Sequence, residues 1–146
     1  MSIYLNNAAT SWPKPHMVPQ AMYDFMVNSG ANLARGTAAK RDLGTMDLVL
    51  NCRELLAEFF HGYEDADPRY VTFTSNITES LNIVLKGYLK PGMKVLTSSM
   101  EHNASMRPLR RLEQRGVHIT VLPCDMEGVL SLRDLDKVLK EDSFDL

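Results

Sequence analysis

Two short stretches carry the residue types from which a binding or catalytic site could be built. In "YVTFTSNITESLN", residues 70–82, Asn76 is followed three positions on by Glu79, the spacing of a capping box. An asparagine that opens a helix through its side-chain oxygen leaves the next amides, those of Ile77 and Thr78, pointing out of the helix end. The positive end of the helix dipole favours an anion there, and Thr78 adds a hydroxyl donor. Such a set could hold a phosphate, or it could be a well-made cap with no ligand. Asn76-Ile77-Thr78 is also a formal N-glycosylation sequon, as is Asn103-Ala104-Ser105. In "SSMEHN", His102 stands between Glu101 and Asn103 after a strand-like run. An imidazole there could stack on a planar ring, carry a proton or bind a metal, or it could be a solvated loop residue. No second ligand lies near it in sequence, so no metal site is expected. Arg35, beside Gly36 in "NLARGT", could clamp a carboxylate or phosphate bidentately, although a surface arginine is the commoner case. Neither a Walker motif nor G-x-G-x-x-G is present, so a nucleotide is not favoured.

The elements that must position these residues follow from periodicity. Apolar Val18, Met22, Phe25 and Met26 recur at helical spacing from 16 to about 28, with Pro19 in the first turn. A loop is expected at "ANLARGTAAKRDLG". A longer helix follows from about 43 to 60, its apolar face supplied by Met46, Leu50, Leu55, Leu56, Phe59 and Phe60, with His61-Gly62 as its stop. From Tyr70 the pattern becomes strand, helix, strand, helix, strand, helix. The expected strands are "YVTFT", "KVLTSS" and "VHITVLP". The first of the intervening helices has Ile77, Leu81, Val84, Leu85 and Tyr88 on one face. The second has Met106, Leu109 and Leu112, with Pro108 in or near its first turn. Ser131 and Asp134 resemble a capping box opening the last helix. Strands separated by helices imply parallel pairing, and ligands in such sheets bind at the carboxyl ends of the strands. "SNIT" and "SSMEHN" occupy that place.

Composition narrows the function classes. The chain has 146 residues, 45% hydrophobic and 23% charged, with 16 Lys+Arg against 18 Asp+Glu. That balance carries no electrostatic footprint for nucleic acid or for an anionic membrane, and no apolar run is long enough to span a bilayer. "MSIYLNNAAT" lacks a basic segment followed by an apolar one, so a cytoplasmic location is expected and both sequons are read as accidental. Cys52 and Cys124 have no Cys-x-x-Cys spacing and read as packing residues in a reducing compartment. His118 reads as a solvent-facing strand residue, and "RPLRRLEQR" as a solvated helix face.

Taken together, "YLNNAATSWPKP", "FTSNITESLN", "GYLKPGMKVLTSSMEHNASMRPL" and "GVHITVLPCDMEG" resemble the N-terminal part of class V aminotransferase-fold enzymes, most closely the cysteine desulfurase-like branch. The resemblance covers essentially the whole chain. It implies an α/β protein of PLP-dependent transferase fold type I, of which this chain would hold the N-terminal arm and helices plus the first three strands of the large-domain sheet. Residues 1–62 would form the arm and helical segment, and 63–146 the first part of the large domain. The cofactor implied is pyridoxal 5′-phosphate (PLP). The reaction implied is conversion of L-cysteine to L-alanine with transfer of sulfur to an enzyme persulfide, in a homodimer that can serve a sulfur-acceptor protein. Carried over by motif, Ile77 and Thr78 would bind the cofactor phosphate, and His102 would stack on its ring and assist proton transfer. Asn7, Ala8 and Arg35 would lie near the substrate. Alternatives are another class V enzyme (selenocysteine lyase, epimerase or aminotransferase) or a non-catalytic anion-binding module.

The sequence departs from the family pattern in places. Asn6 stands where many relatives have Asp, and Ala38 where they often have His, which puts the role of the Arg35 loop in doubt. The Schiff-base lysine, the aspartate that pairs with the pyridine nitrogen and the persulfide cysteine have no counterpart here. Lys86, Lys90 and Lys94 do not replace that lysine. The 146-residue chain by itself is therefore expected to be inactive, and marginal in stability, because the first strand would lack the neighbours that complete the sheet.

Overall fold

The computed structural model describes residues 3–33 and 39–146. They divide into two compact units, the first ending at Thr72 and the second running Phe73–Leu146. Arg35 and Ala38, with the rest of residues 34–38 in the middle of the expected loop, lie outside the described residues.

The first unit opens with a non-helical arm. The Tyr4 hydroxyl donates to the carbonyls of Asn6 at 3.0 Å and Thr10 at 2.8 Å, folding the arm on itself. Helix α1 is Met17–Asn28 and α2 is Lys40–Phe59. The second helix thus begins inside the stretch read as loop. Its covered stripe also differs from the expected one. Thr45 and Ala57 are buried and Val49 and Leu56 half-buried, whereas Met46, Leu50, Leu55, Phe59 and Phe60 are exposed. The cause is local. The helix packs on a short turn, Tyr63–Ala66 (α3), and on a 3-10 turn, Pro68–Tyr70, and those contacts choose the stripe. Cys52, expected to pack, lies exposed on the uncovered side. The stop at its end is a Schellman motif. The Gly62 amide donates to the Ala57 carbonyl at 2.8 Å and the His61 amide to that of Glu58 at 3.2 Å. His61, not the glycine, takes the left-handed backbone, at φ 50°.

The second unit carries the sheet. Helix α4 is Ile77–Tyr88, strand β1 is Lys94–Ser98, helix α5 is Asn103–Glu113, strand β2 is His118–Leu122 and helix α6 is Leu132–Glu141. The strands pair in parallel, Lys94 opposite His118 through Ser98 opposite Leu122, as strand–helix–strand connectivity demands. Leu85 and Leu89 of α4 and its end, Val95 of β1, Leu109 and Leu112 of α5 and Val117 form one core, with Met93, Met106 and Ile119 against it. Gly116, at φ 93°, makes the turn from α5 into β2, a backbone that other residues resist. Pro108 is interior to α5, and buried, not in its first turn. His102 caps the helix so early that the proline falls in its second turn, where it removes the bond an amide there would make to the Ala104 carbonyl.

One of the three expected strands does not form. Residues 71–74 belong to no ladder among the described residues. A strand is defined by its ladder, and the described sheet pairs only β1 with β2. Among the described residues, the far edge of β1 is met by Asp145 and Leu146. The Asp145 amide donates to the Lys94 carbonyl at 2.8 Å, and the Leu96 amide to the Leu146 carbonyl at 2.9 Å. Lys94 holds this segment further. Its amide donates to Asp145 Oδ2 at 2.8 Å and its ammonium to both Asp142 oxygens, at 2.5 and 2.8 Å. Among the described residues nine hydrophobic side chains are buried and thirty large ones are exposed, so apolar burial is small relative to the chain that must be ordered.

Two predictions follow from this packing. Calorimetry of the 146-residue chain should give a broad transition with an enthalpy well below the ~100 kcal/mol that a well-packed chain of this length shows; a single sharp transition near that value would contradict it. The Lys94 ammonium first, then the Ser143 amide, holds the Asp142 carboxyl below its ordinary value of 3.8. A depressed carboxylate stabilises above that ordinary value and loses its contribution as pH falls through the folded one. Carbon-detected NMR titration should therefore give Asp142 a midpoint under 3.8 that moves up in Lys94→Met. An unshifted wild-type midpoint would count against the pairing.

Candidate functional site

The start of α4 is a reciprocal cap. Asn76 is extended, and its Oδ1 accepts from the Glu79 amide at 3.0 Å. Glu79 Oε2 reaches back and accepts from the Ser75 amide at 2.9 Å. Thr74 braces the turn from below. Its hydroxyl donates to the Asn76 carbonyl at 3.0 Å and lies 2.5 Å from the Ser80 hydroxyl. The first intrahelical bond runs from the Ser80 amide to the Asn76 carbonyl at 3.2 Å. The amides of Ser75 and Glu79 are thereby satisfied, while those of Ile77 and Thr78 have no protein acceptor among the described residues. Both residues are exposed. The cap leaves two adjacent donors and the Thr78 hydroxyl at the positive end of a twelve-residue helix.

His102 sits at the corresponding place on α5. It is the N-cap, and its Nδ1 accepts from the Ala104 amide at 3.0 Å. The loop before it is tied to the ends of both strands. The Ser99 amide donates to the Leu122 carbonyl at 2.8 Å, and the Cys124 amide to Ser99 Oγ at 2.8 Å. Ser98 Oγ donates to Glu101 Oε1 at 3.3 Å. His102 itself is exposed, while Ala104 just behind it is buried.

A groove of about 660 Å³ runs between the two helices. Thr78, Asn82 and Lys86 line it from α4, and Asn103, Arg107 and Arg111 from α5. Thr78 and Asn103 share the lining near the two helix starts, so both N-termini lie at one end of it. Lys86, Arg107, Arg110 and Arg111 surround the groove, and among the described residues only Arg110 of these four forms an ion pair, with Glu113 at 2.9 Å. Cations here reinforce the helix dipoles in favouring an anion. Arg107, Arg110 and Arg111 are exposed, as the reading of "RPLRRLEQR" as a solvated face expects, and the structure adds that they line a groove. The available signal was spacing: Arg107 and Arg111 are one turn apart, as are Thr78, Asn82 and Lys86.

In the first unit, Asn7 Oδ1 accepts from the Trp12 amide at 3.1 Å, and Ala8 lies in the turn closed by the bond from the Ala9 amide to the Asn6 carbonyl at 3.1 Å. The structure thus brings Thr78 and the start of α5 to one groove and sets Ile77 beside Thr78. Asn7 and Ala8 belong to the other unit, and Arg35 lies outside the described residues. Among the described residues no cluster of His, Cys, Asp and Glu could hold a metal ion, and no helix is long and apolar enough to cross a membrane.

Comparison with known proteins gives a consistent set of matches. A family model described as aminotransferase class-V matches residues 3–144. The cysteine desulfurase IscS of Vibrio vulnificus (strain YJ016) is 34% identical, over 98% of this chain and 35% of its own length. The apo structure of a cysteine desulfurase from Thermococcus onnurineus NA1 superposes with a TM-score of 0.78 at 31% identity, covering 92% of this chain and 33% of that one. A mutant of the protein C-DES, solved with glycine covalently linked to its PLP cofactor, is 25% identical with a TM-score of 0.51, over 72% of this chain and 26% of that one. The chain spans about a third of the length of the relatives it matches. Its α/β arrangement is part of the fold-type I domain that these proteins share.

The geometry of the cap gives a direct prediction. Asn76→Ala removes the acceptor of the Glu79 amide and should cost ~1 kcal/mol of local helix stability. Faster hydrogen exchange at Glu79 and Ser80 would register it; unchanged exchange at both would show that the side chain does not hold the turn.

Proposed function

The chain belongs to the aminotransferase class-V family, and from that premise we propose that it carries the phosphate-binding and ring-stacking half of a PLP site in a cysteine desulfurase. The reaction proposed for the whole enzyme takes L-cysteine to L-alanine and transfers the sulfur to an enzyme cysteine. The observation that carries this reading is the pair of amides at Ile77 and Thr78, without a protein acceptor among the described residues, with Thr78 lining a groove that Asn103, next to His102, lines from α5.

The donor set fits a phosphate monoester. Two adjacent amides and the Thr78 hydroxyl can each donate to a phosphate oxygen, and the helix dipole with Lys86, Arg107 and Arg111 favours its double negative charge. Glu79 faces the same helix end, but its carboxylate is engaged by the Ser75 amide. When bound, PLP supplies an electron sink for bonds at the substrate's α-carbon. The chain's own residues do the holding. Ile77 and Thr78 anchor the phosphate, and His102 presents an imidazole to the ring. Asn7 and Ala8 are proposed at the substrate, with Arg35 as the clamp for its carboxylate.

L-cysteine as substrate rests on the Vibrio and Thermococcus relatives, both cysteine desulfurases. A homodimer, a sulfur-acceptor protein and a cytoplasmic location belong to the same proposal and rest on the same resemblance. The 146-residue chain by itself is proposed to be inactive: Lys94 is committed to Asp142, and Lys86 lies along the groove between the helices.

Titrating PLP into wild type, Thr78→Ala and His102→Ala tests the site. Thr78→Ala should weaken binding about tenfold, the value of one hydrogen bond to a charged group, and His102→Ala should weaken it several-fold through lost stacking. Equal affinity in all three proteins would remove both residues from the site. Added L-cysteine should yield no sulfide from this chain.

A further inference from the structure

The two ring nitrogens of His102 have different surroundings. Nδ1 accepts from the Ala104 amide at 3.0 Å, while Nε2 has no hydrogen-bond partner among the described residues. An accepting nitrogen needs its lone pair, so in the neutral ring the proton is on Nε2. The surroundings enforce this choice. Ala104 is buried, 7% exposed, which favours an amide that keeps its protein acceptor. The amides of Ser105 and Met106 donate to the His102 carbonyl at 3.0 and 3.1 Å, which fixes the backbone around the ring. Glu101, the nearest carboxylate in sequence, is engaged with Ser98 Oγ at 3.3 Å.

We propose that the Ala104 backbone amide is a positioning group that locks the neutral His102 ring in the Nε2–H tautomer, so that the capped ring offers a stacking face and one outward donor. What the ring faces rests on the PLP reading; the tautomer does not.

The test is nitrogen NMR on the 15N-labelled 146-residue chain near pH 8, where an ordinary imidazole is ~97% neutral. The expected result is a coupling across the hydrogen bond between the Ala104 amide and His102 Nδ1, with a pyridine-like Nδ1 and a pyrrole-like Nε2. A missing coupling together with a protonated Nδ1 overturns the proposal. Ala104→Pro removes the donor at a first-turn position where proline is tolerated. It should let the second tautomer appear, and an unchanged tautomer in that variant also overturns the proposal. Hydrogen exchange gives an independent arm. The Ala104 amide should stay protected in His102→Asn, which keeps a capping acceptor, and exchange about fivefold faster in His102→Leu; equal rates in the two variants contradict the cap. None of these readouts needs a cofactor, so their failure leaves PLP binding at Thr78 standing, and failed PLP binding leaves the tautomer standing.

Discussion

At the entry to α4 the Asn76 side chain takes the Glu79 amide and the Glu79 carboxylate takes the Ser75 amide. That exchange starts the helix and decides which donors stay available. Had Glu79 turned instead to the amides of Ile77 and Thr78, the helix end would be self-neutralised and useless to an anion. With Glu79 drawn back to Ser75, structure and binding do not compete. The Thr74–Ser80 contact beneath the turn holds the arrangement from the other side. The groove adds a field to this local geometry, because Lys86, Arg107 and Arg111 line it beyond Thr78.

The same logic recurs at His102, where a cap acceptor does a second job. A histidine is an unusual N-cap, since serine, threonine, aspartate and asparagine are the common ones. Here the cap orients a ring and commits one of its nitrogens. Both helix starts therefore spend part of a side chain on structure and leave the remainder outward. β1 and β2 hold the start of α5, since Ser99 and Cys124 knit the loop before His102 to the strand ends. The core beneath is small, and much apolar surface on α1, α2 and the flank of α4 is exposed. The site's rigidity comes from hydrogen bonds at the helix starts more than from the depth of the packing beneath them.

What was legible in the sequence was local. Asn76 with Glu79 and Ser131 with Asp134 are short-range signals, and the Asn76 and Ser131 side chains make the expected caps. The ends of α1 and α4 and the positions of β1 and β2 followed from periodicity and from the glycines between them. What failed was non-local. Residues 71–74 have the composition of a strand, but pairing depends on a neighbour that no local pattern encodes. The stripe α2 buries depends on tertiary packing, including that of residues 63–70 against it, and Thr45 and Ala57 are covered in place of Met46 and Phe59. Pro108 was misplaced because the cap that starts α5 is a histidine. Arg107 and Arg111 are exposed as expected, but the groove they line needs a second helix, and sequence spacing shows only one at a time.

The central claim is that the open amides at the start of α4 are an anion site. Inorganic phosphate titrated into the 15N-labelled chain, with backbone amide shifts followed residue by residue, tests it most directly. The predicted result is that the Ile77 and Thr78 amides move furthest and saturate together, while the Glu79 amide, already bonded to Asn76, moves little. Shifts spread evenly over the lysines and arginines, with Ile77 and Thr78 unmoved, would contradict the account.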